Sequence, residues 1–147
     1  MMFIFDNMNE PTTTTHFKKE IPLFHASYDI FIGSDGEAIK EHIDETFSNL
    51  GVELPGNALG YTTMIDSALC GKGVIVILNT FLSDQVEVEK TIYHEAVHVT
   101  WMLLKALGIT ITYDNHEIQA YLIEHIITDM LSALKEHDTN NNDVVDL

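Results

Sequence analysis

His94-Glu95-Ala96-Val97-His98 reads H-E-x-x-H, and it lies inside the segment 83–107, whose apolar residues recur at helical spacing. On a helix, residues four apart share a face, so His94 and His98 can offer two imidazole nitrogens to one metal ion. Glu95 is rotated by about 100° from its neighbour. It is poorly placed as a third ligand, but it can reach a water bound to the same ion. Two ligands from one helical turn with a carboxylate beside them is the arrangement zinc hydrolases use. The fold then has to supply a central helix for this motif, a third ligand and a place for substrate.

Working outward, Asp84 and Ser83 mark the start of that helix, Glu87 and Glu89 suit its first turns, and Gly108 ends it. Tyr93, Val97, Thr100, Trp101, Leu104 and Leu107 are its expected buried surface, with Trp101 in the core. Before it, Val74-Ile75-Val76-Ile77-Leu78 is a continuous apolar run, a strand covered on both faces. Leu59, Tyr61, Thr63 and Ile65 alternate with Gly60, Thr62, Met64 and Asp66, a half-buried strand. Gly71-Lys72-Gly73 reads as the turn of a hairpin between them. It is not a phosphate loop, since the motif's spaced glycine and Lys-Ser/Thr pair are missing.

Further toward the N-terminus, 23–32 is rich in aromatic and branched residues and holds a strand. Ser34 with Glu37 forms a capping box. Ile39, Ile43, Phe47 and Leu50 then make one helical stripe, ended by Gly51. Pro55-Gly56-Asn57 is a loop. Beyond the central helix, Ile109 to Tyr113 alternates like a short extended piece, and Asp114-Asn115 opens a last helix to about His137. Residues 1–16 read as an arm and 138–147 as a frayed polar tail. The element order gives α+β: one domain over 1–147, with a small mixed or antiparallel sheet backed by helices.

The chain has 147 residues, 23 acids, seven lysines and no arginine, for a formal charge of −16. It lacks the basic face of a nucleic-acid binder, so direct nucleic-acid binding is not expected. Such acidity ordinarily serves solubility, and its sharper reading is a surface that engages a basic partner. One cysteine, Cys70, rules out an internal disulfide and reads as a small buried residue. No stretch approaches the roughly 18 apolar residues of a membrane span. The short apolar N-terminus lacks the features of a signal peptide, so a cytoplasmic location is expected. Oligomeric state is not legible.

For the third ligand the candidates are His116, Glu117, Glu124 and His125. The metzincin extension does not apply, because Trp101 and Leu104 stand where it needs glycine and histidine. Glu117 is favoured. The helix continues about 13 Å past His98, and an extended link over 109–114 can return up to about 20 Å. The competing reading makes Glu117 the partner of Asp114 in a capping box. Tyr61, Tyr113, Tyr121 and His25 are candidates to donate to an oxyanion.

His94-Glu95-Ala96-Val97-His98 with Glu117 at the start of a later helix resembles a gluzincin-type zinc metallopeptidase in minimal form. The phrase Asn115-His116-Glu117-Ile118-Gln119-Ala120-Tyr121-Leu122 is similar to a Glu-x-x-Ala-Tyr segment of small phage-encoded metallopeptidase-like proteins. If the gene is carried by a phage, the location is the host cytoplasm. The resemblance spans roughly 59–130. It implies a zincin-like fold, with an active-site helix and a ligand helix on the sheet. It also implies Zn2+ held by His94, His98 and Glu117, with Glu95 as general base acting on a peptide or protein substrate. In zincins the strand before the active helix pairs with extended substrate; here that role falls to Val74–Leu78 or Asn79. Larger gluzincins carry an aspartate four residues after the glutamate ligand, where this chain has Tyr121. The alternatives are an acidic binding or inhibitor protein that engages a basic partner and has a structural or vestigial metal site, and a hydrolase of a non-peptide amide.

Overall fold

The computed structural model describes residues 13–48, 53, 55, 58–67, 71–81 and 84–145. Leu50, Gly51, Gly56, Asn57, Cys70 and Ser83, most of the N-terminal arm and the last two residues lie outside these. The elements run β1 (Thr15–Ile21), a 3-10 turn (Pro22–Phe24), β2 (Ala26–Gly33), α1 (Gly36–Thr46), β3 (Gly60–Ser67), β4 (Gly71–Asn79), α2 (Gln85–Ala106) and α3 (His116–Val145). The result is mixed α+β: a four-stranded mixed sheet of order β1-β2-β4-β3 with three helices among the described residues.

The two central strands, β2 and β4, are parallel, Ile30 opposite Val76 and Ile32 opposite Leu78. Both are buried on both faces, which is why they read as near-continuous apolar runs. Ile30, Ile32, Val74, Val76 and Leu78 point to one side and join Ile92, Ala96, Val99, Leu122, Ile126 and Met130 of α2 and α3. Phe31, Ile75 and Ile77 point to the other and meet Ile39 and Ile43 of α1. The sheet therefore separates two unequal cores. The larger lies under α2 and α3.

β3 and β4 form the expected antiparallel pair, but Gly71-Lys72-Gly73 is strand and not its turn. Gly71 and Gly73 are strand residues opposite Ser67 and Ile65, and 68–70 lie outside the described residues. β4 is also interior, with β2 on one side and β3 on the other. Over Ile75–Leu78 it is paired on both sides and has no backbone edge left for a substrate. Among the described residues β3 pairs only with β4, so β3 is the edge strand on that side.

β1 corrects the expected arm at its C-terminal end. Thr15 and His16 already belong to a strand antiparallel to β2. Its alternation is disguised because Lys18, Lys19 and Glu20 interrupt it. Phe17 and Ile21 nevertheless face the large core. The α1 cap also differs: Asp35, not Ser34, accepts from the Glu37 amide, at 3.1 Å. At the other end, 138–145 continue α3 instead of fraying. His137 is buried at the end of the apolar stripe, held by Thr15 and Asn141, so the helix keeps packing past Leu134.

Trp101 is not core: it is 62% exposed, with Tyr93 and Val97 in the same outward row. α2 rests on the sheet through Val88, Ile92, Ala96, Val99 and Leu103 instead, and only Thr100 and Leu104 of the expected face are buried. Both rows are apolar at helical spacing. The true core row is interrupted by Glu95, which disguised it. No helix among the described residues is long and apolar enough to cross a membrane.

Candidate metal centre

α2 begins where Asp84 caps it, accepting from the Glu87 amide at 2.8 Å. Its packing on β3 and β4 fixes its rotation, and the rotation sorts the motif. Glu95 turns inward and is 5% exposed. His94 and His98 turn outward, one turn apart on the solvent face, and the His94 side chain is 70% exposed.

The two imidazoles converge. Their Nε2 atoms are 3.2 Å apart, with ring centroids at 4.9 Å and planes at 68°. Two nitrogens bound tetrahedrally to one zinc at 2.0–2.1 Å stand about 3.3 Å apart. Two bare Nε2 lone pairs at this distance repel unless a proton or a cation lies between them. The donor pair thus fits a shared ion in both chemistry and spacing.

Glu95 occupies a slot in the edge strand. Thr62 Oγ1 donates to its Oε2, while Oε1 lies 4.0 Å from His94 Nε2. The slot exists because residue 60 is glycine. A β-carbon there would come within 2.8 Å of Glu95 Cγ and 2.5 Å of Thr91 Cγ2. One carboxylate oxygen is held by the sheet, and the other is left on the side of the histidine pair.

Glu117 is not brought to this pair. Among the described residues no group of three or more His, Cys, Asp or Glu side chains is assembled to hold a metal ion. The link from α2 to α3 forms no strand, and local hydrogen bonds hold it. Ile109 N bonds Leu104 O, and Asn115 ties the rest into a knot, accepting from the Thr112 amide at 2.6 Å and donating to Thr110 O at 2.9 Å. Glu117 sits exposed in the first turn of α3. His116 is beside Tyr113, with ring centroids 5.9 Å apart, and Glu124 is exposed. His125 faces Asp129 at 3.5 Å.

The oxyanion candidates also disperse. Tyr61 faces the α1 side of the sheet, and His25 ends the 3-10 turn and lines a hollow at the far end of α2. Tyr113 is 90% exposed, and Tyr121 stands over His125. Sequence reasoning missed Thr62 and Gly60. Their only signal is that they are two apart in an alternating strand, which puts them on one face.

Two hollows lie on neighbouring elements, and neither is lined by His94, Glu95 or His98. One of about 450 Å³, lined by Trp101, Leu104 and Ile109 to Ile111, lies beyond His98 at the end of α2. The other, about 540 Å³, lies between β3, β4 and the start of α1, and it reaches Gly60 from the opposite face. Comparison with known protein families, curated proteins and solved structures finds no match.

Proposed function

We propose that the protein is a zinc-dependent hydrolase, a small metallopeptidase of zincin-like architecture, with His94 and His98 as metal ligands and Glu95 as general base. The observation that carries this reading is the pair of Nε2 atoms 3.2 Å apart with a carboxylate oxygen 4.0 Å from one of them. Glu117, the third ligand the sequence suggests, stands exposed at the start of the following helix apart from the pair, so the reading rests on the two histidines. His94 and His98 would hold the zinc, which when bound would supply Lewis acidity toward a water and a carbonyl. The chain's residues do the rest. Glu95 takes a proton from the attacking water at Oε1 and hands it to the leaving amine. The outer edge of β3 offers backbone donors and acceptors to an extended peptide, and this assigns to β3 the role first expected of β4.

The test combines metal analysis with a peptide-library assay, with and without chelator. Expected are stoichiometric zinc, hydrolysis that chelation abolishes, and a Glu95→Gln variant that keeps zinc but loses activity by about 10²–10⁴-fold. A Glu95→Gln variant as active as the parent ends the base assignment. A second reading, a binding module, draws on the exposed row Tyr93, Val97 and Trp101 beside the pair. Zinc without any hydrolysis favours it.

A further inference from the structure

We propose that Thr62 is the positioning residue for Glu95: its hydroxyl holds one carboxylate oxygen so that the other faces the metal side of the site. This rests on the hydrolase reading above and adds to it a residue outside the motif, on a different element. A carboxylate 5% exposed on a helix packed against a sheet is costly unless its oxygens have partners. An apolar residue would fill that place in a purely structural contact. Here a hydroxyl, itself only 8% exposed, donates to Oε2 from the edge strand. Thr62 and Gly60 lie on the α2 face of β3, and Gly60 makes the room the Glu95 side chain needs. With Oε2 engaged, the free Oε1 points toward His94 Nε2, 4.0 Å away. The rigid support of the base is therefore the sheet, not the helix that carries it. A base held by its own helix alone has free side-chain rotation, whereas the hydroxyl selects one rotamer and one oxygen.

Thr62→Val keeps the shape and removes the donor; Thr62→Ser keeps the donor. Gly60→Ala leaves Thr62 in place and crowds the Glu95 and Thr91 side chains. The proposal expects Thr62→Val and Gly60→Ala to lower kcat by about tenfold to a hundredfold, the scale of a misplaced catalytic group. KM and zinc content stay unchanged, and Thr62→Ser restores kcat. A second readout needs no turnover: the visible absorption of the Co(II)-substituted protein, which shifts in Thr62→Val and returns in Thr62→Ser. Unchanged kcat and an unchanged cobalt spectrum in Thr62→Val overturn the proposal. If the parent binds cobalt but cleaves no peptide, the hydrolase reading falls and the spectra alone decide Thr62. If it binds no metal, both fall.

Discussion

Two pairs of histidines in this protein contrast, and the contrast defines the site. His137 and His16 are tied up. Asn141 Nδ2 donates to His137 Nε2 at 3.0 Å, so the neutral ring carries its proton on Nδ1 and donates to Thr15 Oγ1 at 2.7 Å. His16 lies flat on Phe31, with centroids 4.4 Å apart, and its Nε2 is 2.7 Å from Asp29 Oδ1. Each is committed to protein partners within a packed contact. His94 and His98 are exposed, and their Nε2 atoms face each other. A structural histidine spends its nitrogens on the protein. The exposed pair spends its Nε2 atoms on each other.

Removing one member of the exposed pair should separate binding from folding most sharply. His98→Ala is expected to lower zinc affinity by a hundredfold or more, since even partners behind a ligand are worth about 10–100-fold. Its urea midpoint without metal should stay near the parent's, because the side chain is exposed. A parallel loss of metal-free stability would place His98 with the structural histidines. A smaller effect is expected at Tyr28, fully buried, whose hydroxyl donates to Asp129 at 2.9 Å across β2 and α3. Burial, then the Asp129 charge, pushes this phenol's pKa well up, so it stays a donor. Tyr28→Phe leaves Asp129 short of a donor and should cost about 1–2 kcal/mol in urea unfolding, with zinc binding unchanged.

The mildest test uses pH. Burial lowers the His137 pKa below its ordinary 6.5. The unfolded chain then takes up a proton before the folded chain does. Its stabilisation is complete above about pH 6.5 and is lost progressively as pH falls toward the depressed folded value. A His137→Gln variant should show a shallower fall in urea midpoint than the parent between about pH 7.5 and 5.5. Equal slopes would mean that the ring titrates alike in both states.

Much of this was legible because the signals are local. The apolar runs of β2 and β4, the alternation of β3, Asp84 ahead of α2 and Gly108 behind it all follow from short-range pattern. Gly108 takes φ of 73°, the conformation a helix-ending glycine supplies. β1 was missed because its lysines hide the alternation. The buried face of α2 was misread because Glu95 sits in the core row and three large apolar residues sit outside it. A buried carboxylate looks like a surface residue in any sequence pattern.

The sequence by itself determined the elements and the convergence of His94 and His98, because helical spacing alone puts residues four apart together. It also placed a carboxylate beside them. Tertiary structure alone decided that β4 is interior and β3 the edge, that Trp101 faces out, and that Glu117 begins α3 apart from the histidine pair. It also decided that Glu95 is held by Thr62 over Gly60. Strand order, helix rotation and loop path depend on contacts between residues far apart in the chain, and no local pattern encodes them.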